Sequence, residues 1–443
     1  MRVAVVGTGY VGLVTAAGLA ELGHTVVCVD IDQRKVAALN QGAAPIFEQG
    51  LDMLLQRNLG VRLRATTDLG SAVQGSELTF VCVGTPSRQD GSIDVSFVQQ
   101  AAEQIGGALA ATTGFHAVVV KSTVVPGTSQ QVVGPALERT SGRKAGVDVG
   151  VGVNPEFLTE GQAVDDFLHP DRIVIGGDRR TVAALRELYA GFDGVPVVET
   201  NAATAEMIKY ASNAMLATAI SFSNEIANLG AAIGGIDAVE VMRGVHLSRY
   251  LTTAPGDGPA ITAPLSSFFE AGCGYGGSCL PKDVAALAAR GREVGSPLPL
   301  LEAVARVNDE QPARLVELLR RRLGTLRGRR VTVLGLAFKP ETDDVRSSPA
   351  FPVLRSLCAA GAEVSAHDPV VGPEALDGLG AVTYVQDLAA AVKQAEAVVI
   401  VTRWDHYRRV PELVGQLDPP PLVVDGRRML DKASVPSYAG IGL

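Results

Sequence analysis

A chain of 443 residues has room for roughly three domains at about 150 residues each. It is 47% hydrophobic and 19% charged, which excludes long-range disorder, and 39 Lys+Arg against 47 Asp+Glu, a formal net charge of -8, argue against a general affinity for nucleic acid. Five scattered cysteines read as reduced thiols rather than a disulfide framework, and no stretch approaches the ~18 apolar residues of a membrane span.

The opening run Arg2-Val3-Ala4-Val5-Val6 predicts a buried parallel strand. It leads straight into Gly7, where a signal peptide would need an apolar core, so a cytoplasmic protein is expected. Gly7-Thr8-Gly9-Tyr10-Val11-Gly12 follows, then a helical stretch to Leu22, Gly23, and a second strand over Thr25–Val29 ending at Asp30. Further strand-like runs at Leu78–Val83 and Ala117–Val120 alternate with helical stretches, as a doubly wound sheet requires. From Ala202 to about Gly230 the composition predicts one long helix. Its apolar residues Met207, Ile208, Met215, Ile220, Ile226 and Leu229 exceed a single core-facing stripe, which predicts a homodimer surface.

Residues 251–267, rich in Pro, Gly and Thr, read as a loop, and the Arg-rich run 320–330 as a solvated helix end and linker. Beyond the linker the first domain is echoed. Arg330–Gly335, Glu363–Asp368 and Ala397–Thr402 repeat its strands, with Gly335-Leu336-Ala337-Phe338-Lys339 in place of the glycine fingerprint. The expected fold is α/β: two Rossmann-like doubly wound domains, 1–199 and 325–443, joined by a long central helix and a mainly helical middle domain, 200–315. Only the first should hold a dinucleotide.

That expectation has a physical basis. Gly7 permits a tight turn, Gly9 lets the backbone approach a pyrophosphate, and Gly12 allows close helix packing. Phosphates then sit at a helix N-terminus, and Asp30, 18 residues after Gly12, can accept ribose hydroxyls. An acid there repels a 2′-phosphate and favours NAD over NADP, although Lys35 could pair such a phosphate.

A second motif, Gly274-Tyr275-Gly276-Gly277-Ser278-Cys279-Leu280-Pro281-Lys282-Asp283, sets three glycines before a cysteine, so that a substrate can approach the backbone and the thiol stays uncovered. Pro281 suits the first turn of a helix, and a helix N-terminus with Lys282 adjacent favours thiolate. Cys28, Cys82 and Cys358 lie in apolar segments and read as core. Cys273, without nearby histidines, reads as structural.

These two motifs stand in order with Val83–Pro86 (VGTP), Lys121–Thr128 (KSTVVPGT), Asn154–Gly161 (NPEFLTEG), His169–Gly177 (HPDRIVIGG) and Phe338–Pro349 (FKPETDDVRSSP). With them the chain resembles the UDP-glucose 6-dehydrogenase family almost end to end. The resemblance implies an NAD-dependent four-electron oxidation of a nucleotide hexose C6 alcohol to the uronate, through a thiohemiacetal and a thioester on Cys279. It implies that Lys209 and Asn213, one helical turn apart, bind the sugar and steady the developing alkoxide. Asp283 and Thr123 match a pair associated with an ordered water. Glu156 matches the acid/base for thioester hydrolysis, and Glu160, read as one helical turn on, a neighbour of cofactor and substrate. By the same resemblance Tyr10, Val11, Thr85, Thr123, Lys282 and Arg346 join the cofactor site, whereas Phe157, Leu158, Gly276, Lys339 and Arg427 join the substrate site. No metal is implied.

The pattern departs from the family before the cysteine loop. An Arg-Ile-Gly stretch is missing, although Arg249 lies nearby, the connection Leu251–Ser267 is longer, and Phe268-Phe269-Glu270 places an acid where a lysine or neutral residue is commoner. Nucleotide choice is therefore expected in 251–270. UDP-glucose is the leading substrate and dTDP-glucose its competitor, while Ser278 argues against the cousins acting on N-acetylated sugars. A two-electron hydroxyacid dehydrogenase, which needs no cysteine, and a non-catalytic nucleotide-sugar binder are the rival classes.

Overall fold

The computed structural model describes residues 1–253 and 260–443. The chain divides into two compact units, Met1–Ser212 and Asn213–Leu443.

In the first unit, β1 (Arg2–Val6), β2 (Thr25–Val29), β3 (Leu63–Thr66), β4 (Leu78–Val81), β5 (His116–Val120), β6 (Val149–Val153), β7 (Ile173–Gly177) and β8 (Val197–Thr200) form one sheet in the order β3-β2-β1-β4-β5-β6-β7-β8. The pairs are parallel except β6 with β7. Strands β4 and β5 are buried at every position, which is why they read as unbroken apolar runs. The order reverses between β1 and β4, and the crevice at their carboxyl ends is where such sheets take ligands. The fingerprint turn leaves β1 there, and Gly84-Thr85 follows β4.

In the second unit, Thr252–Thr253 (β9) and Ile261–Thr262 (β10) pair antiparallel, and Pro264–Phe268 forms a short helical turn. The stretch read as one loop is thus ordered at both ends, where β-branched threonines pair and Thr252 Oγ1 lies 2.9 Å from Thr262 Oγ1. Residues 254–259 of the expected nucleotide-choosing segment lie outside the described residues. A second sheet is parallel throughout, in the order β13-β12-β11-β14-β15-β16, from β11 (Arg330–Leu334), β12 (Glu363–His367), β13 (Val382–Tyr384), β14 (Ala397–Ile400), β15 (Leu422–Asp425) and β16 (Tyr438–Gly440). Here the turn after β11 is filled by protein. A Cβ on Gly335 would stand 2.4 Å from that of Thr402, and no helix opens until Ala350.

The long helix runs Ala202–Ile233, past Gly230, and Gly234 and Gly235 end it with left-handed backbones at φ +83 and +72. Its apolar residues divide. Ile208 packs with Val153 and Val174, and Ile220 with Tyr275 and Val304, so these two belong to cores. Met207, Met215, Phe222, Leu229 and Ile233 are exposed. None of the described helices is long and apolar enough to cross a membrane.

Candidate active site

In the first unit, the fingerprint turn has the geometry its glycines suggest. Gly7 (φ +98) lies against the carbonyl of Cys82, and a Cβ on Gly12 would stand 1.9 Å from the Gly7 oxygen, so neither position admits a side chain. Above Gly9 there is open space to 4 Å, which leaves the backbone approachable by a pyrophosphate at the start of helix Tyr10–Glu21. Asp30 accepts from the Thr8 hydroxyl at 2.5 Å, the Thr8 amide at 2.9 Å and the Asp32 amide at 3.0 Å. Burial pushes its pKa up, but the Thr8 hydroxyl, these amides and the charge of Lys35 outweigh it and hold the carboxyl below the usual range. An ionised acid with Lys35 beside it fits the ribose end of NAD.

The Asn154–Gly161 segment is an irregular turn, and the next helix opens only at Ala163, so Glu160 does not stand one helical turn from Glu156. Pro155 and the ring of Phe157, stacked 3.9 Å from the Arg172 guanidinium, hold this segment in its own shape. Glu156 is buried rather than solvated. Its Oε1 meets Lys209 Nζ at 3.0 Å, with side-chain exposures of 5% and 6%, and its Oε2 accepts the Leu158 amide at 2.6 Å. Burial alone would raise this carboxyl; the Lys209 charge and hydrogen bond, the Leu158 amide and the Lys121 charge together hold it low. Thr123 is half-buried, its carbonyl accepting the Thr85 hydroxyl at 3.0 Å, which ties two of the expected cofactor residues to each other.

In the second unit, Cys279 is the residue before helix Leu280–Glu293, partly exposed, with Pro281 in the first turn and the Ser278 hydroxyl 3.5 Å from its sulfur. Asp283, 1% exposed, accepts from Asn213 Nδ2 at 2.6 Å and from Lys282 Nζ at 2.6 Å. The glycines before the cysteine serve packing against protein, a correction to their reading as an approach for substrate. A Cβ on Gly276 would stand 2.4 Å from the Ser347 oxygen, and one on Gly277 (φ +84) 2.7 Å from the Phe338 ring. Gly274 (φ +97) lies against Asn308, whose side-chain amide brackets Tyr275 by accepting its N–H at 2.7 Å and donating to its carbonyl at 3.1 Å. Ser347 itself has a left-handed backbone, φ +50, at this contact.

The expected substrate arginine, Arg427, donates to the Gly274 carbonyl at 2.8 Å and the Val401 carbonyl at 2.5 Å, so one of its donors holds the cysteine loop and another the end of β14. Lys339 lies 5.8 Å from the Phe338 ring centre, and Arg346 is exposed and forked on Asp344. Glu270 is paired with Arg403, which answers how an acid is accommodated there. Cys28, Cys82 and Cys273 are buried, and burial pushes the first two thiols up to about 12. Cys358 packs partly buried against the second core.

Sequence reasoning missed three buried charges. Glu48 accepts the Tyr10 hydroxyl, the Gly161 amide at 2.8 Å and the Ala163 amide at 2.8 Å, joining the fingerprint helix to the Glu156 segment. Glu206, one turn before Lys209, accepts from Gly127 and Ser129 at 2.6–2.9 Å. Lys121 is 4% exposed at the end of β5. Their only signal was a charged residue inside an otherwise apolar or turn-rich stretch.

Comparison with known proteins identifies the family. Residues 1–193 match the NAD binding domain of the UDP-glucose/GDP-mannose dehydrogenase family, 203–310 its central domain and 332–432 its UDP binding domain. The chain belongs to this family. A relative, UDP-glucose 6-dehydrogenase AglM of Haloferax volcanii, is 42% identical over 446 residues, covering 100% of both chains. TuaD of Bacillus subtilis, also a UDP-glucose 6-dehydrogenase, is 41% identical over 97% of this chain and 89% of its own. The structure of a UDP-glucose dehydrogenase from Pyrobaculum islandicum superposes with a TM-score of 0.90 at 41% identity, covering 99% of this chain and 97% of that one. Membership makes the chain an NAD-dependent dehydrogenase, in agreement with the Asp30 turn.

Proposed function

We propose that this dehydrogenase oxidises the C6 alcohol of UDP-glucose to the carboxylate of UDP-glucuronate. NAD, when bound, accepts one hydride at each of the two oxidations. In this reading Lys209 steadies the alkoxide as the first hydride leaves, with Asn213 binding the sugar hydroxyls. The thiolate of Cys279 adds to the resulting aldehyde carbon, and the thiohemiacetal becomes a thioester when the second hydride leaves. Glu156 takes a proton from the water that attacks the thioester carbon. The C–S bond breaks, the carboxylate departs and the thiol is restored. Asp283 and Thr123 hold a water that carries off the alcohol proton. Lys339 and Arg427 hold the sugar nucleotide, and Arg346 and Lys282 serve NAD.

The observation that carries the reading is Cys279, partly exposed at the start of a helix in a chain whose buried cysteines have thiols raised by burial. Full-length similarity to UDP-glucose 6-dehydrogenases supports the substrate. The exposed stripe Met207–Ile233 supports a homodimer, and cysteines that form no disulfide suit a reducing cytoplasm.

The test counts NADH per nucleotide sugar. Two NADH and a uronate are expected with UDP-glucose, and dTDP-glucose and GDP-mannose assayed in parallel measure the nucleotide preference. One NADH per turnover would indicate a two-electron dehydrogenase, and none a binding protein.

A further inference from the structure

Lys121 has no part in the reaction as written, yet its ammonium is buried beside the residues that do. Nζ donates to Asn154 Oδ1 at 2.9 Å and lies 3.4 Å from the Asn154 carbonyl. Asn154 is fixed from two further sides: its Nδ2 donates to the Val174 carbonyl at 2.9 Å, and the Tyr189 hydroxyl donates to its Oδ1 at 2.6 Å. Among the described residues no carboxylate lies within ion-pair distance of Lys121. Two residues after Asn154, Glu156 already meets Lys209. Lys121 and Glu156 share a pocket that is also lined by Asp166, His169, Asp171 and Arg172, and Lys209 meets Glu156 from the long helix. Of the thiol and phenol buried nearby, burial pushes both Cys82 and Tyr189 up, so neither supplies an anion.

A buried cation without an anion is costly, and burial lowers Lys121 to about 8. A neutral amide would serve Asn154 as well at less cost. The charge has a use only if something nearby needs it; it acts on the Cys82 thiol and on Glu156, and of these Glu156 is the one with a place in the reaction. We propose that Lys121 is a positioning residue for Glu156: through the Asn154 clamp it fixes the backbone that carries the carboxylate, and by its charge it keeps that carboxylate ionised and able to accept the proton of the hydrolytic water. This rests on the reading of Glu156 as the acid/base.

The experiment is the pH profile of kcat for uronate formation in Lys121→Gln, Lys121→Arg and Glu156→Gln. Gln keeps a donor for Asn154 and removes the charge, so the acidic limb should move up by about 0.5–1 pH unit, while Arg leaves it in place and NAD affinity is unchanged in both. A merely structural role would lower kcat without moving the limb. If Lys121→Gln does not fold, Lys121→Met is read in its place, because an apolar side chain is readily accommodated where a charge was buried. A limb that stays put in the folded charge-free variant overturns the proposal. A limb that survives in Glu156→Gln overturns the acid/base reading beneath it, whereas loss there without movement in Lys121→Gln overturns the role of Lys121 alone.

Discussion

The guanidinium of Arg427, just after β15, donates to the carbonyl of Gly274, five residues before Cys279, at 2.8 Å. A residue proposed to hold substrate thus also holds the loop that presents the thiol. Two charge-assisted bonds to backbone carbonyls are at stake, and Lys cannot reproduce the fork. Arg427→Lys should lower kcat/KM for the sugar nucleotide by roughly 10–100-fold. NAD affinity, measured by titration, should stay within about twofold, because the fingerprint turn is untouched.

Gly277→Ala should be worse than its size suggests. The new methyl would meet the Phe338 ring at 2.7 Å on a backbone at φ +84. Overpacking costs about 1–3 kcal/mol, and the left-handed backbone adds about 1 more. Turnover should fall below a hundredth of wild type with NAD binding retained; near-normal activity would show that the loop can shift without harm.

Cys279→Ser should bind NAD and UDP-glucose and yield no uronate, with turnover down by at least about 10³-fold. Mass spectrometry of a quenched wild-type reaction should find the sugar nucleotide on the peptide carrying Cys279, and nothing on the variant. Uronate at a normal rate from Cys279→Ser would remove sulfur from the chemistry.

The exposed stripe on the long helix is the expected dimer surface. Leu229→Glu places a charge in it at little cost to the monomer, because Leu229 is already exposed. Sedimentation at micromolar concentration should show a dimer for wild type and a shift toward monomer for the variant.

Lys121 also gives a pH signature in stability. Its pKa falls from the ordinary lysine range to about 8 on folding, so between these values the unfolded chain binds more protons than the folded one. Stability therefore gains a positive slope with pH from about 8 upward. Lys121→Met should lose that component, so its advantage over wild type should be largest at neutral pH and shrink as pH rises. Urea midpoints of both proteins across this range provide the measurement.

Much of this site was legible in the sequence because its motifs are local. Gly7, Gly9, Gly12 and Asp30 act within one βαβ unit, and Cys279 with Pro281 within one helix start. What spacing could not convey is which side chains meet across the chain. Gly276 and Gly277 looked like an opening for a ligand because Ser347 and Phe338, some 60–70 residues on, cannot be placed beforehand. The burial of Glu156 was not legible because its partner Lys209 lies on a distant helix. Ile208 and Ile220 looked like surface residues because composition counts apolar residues without saying which core takes them.

Glu48 constrains how this protein can be recombined with its relatives. Its carboxylate receives the Tyr10 hydroxyl from one side and the amides of Gly161 and Ala163 from the other. A chimaera whose crossover falls between residues 48 and 161 inherits the acid from one parent and its amide donors from the other. Such a hybrid functions only where both parents present the amides of 161 and 163 alike to the acid. Crossovers beyond Ala163 keep all three in one parental block, and libraries built to exchange cofactor preference should be cut there.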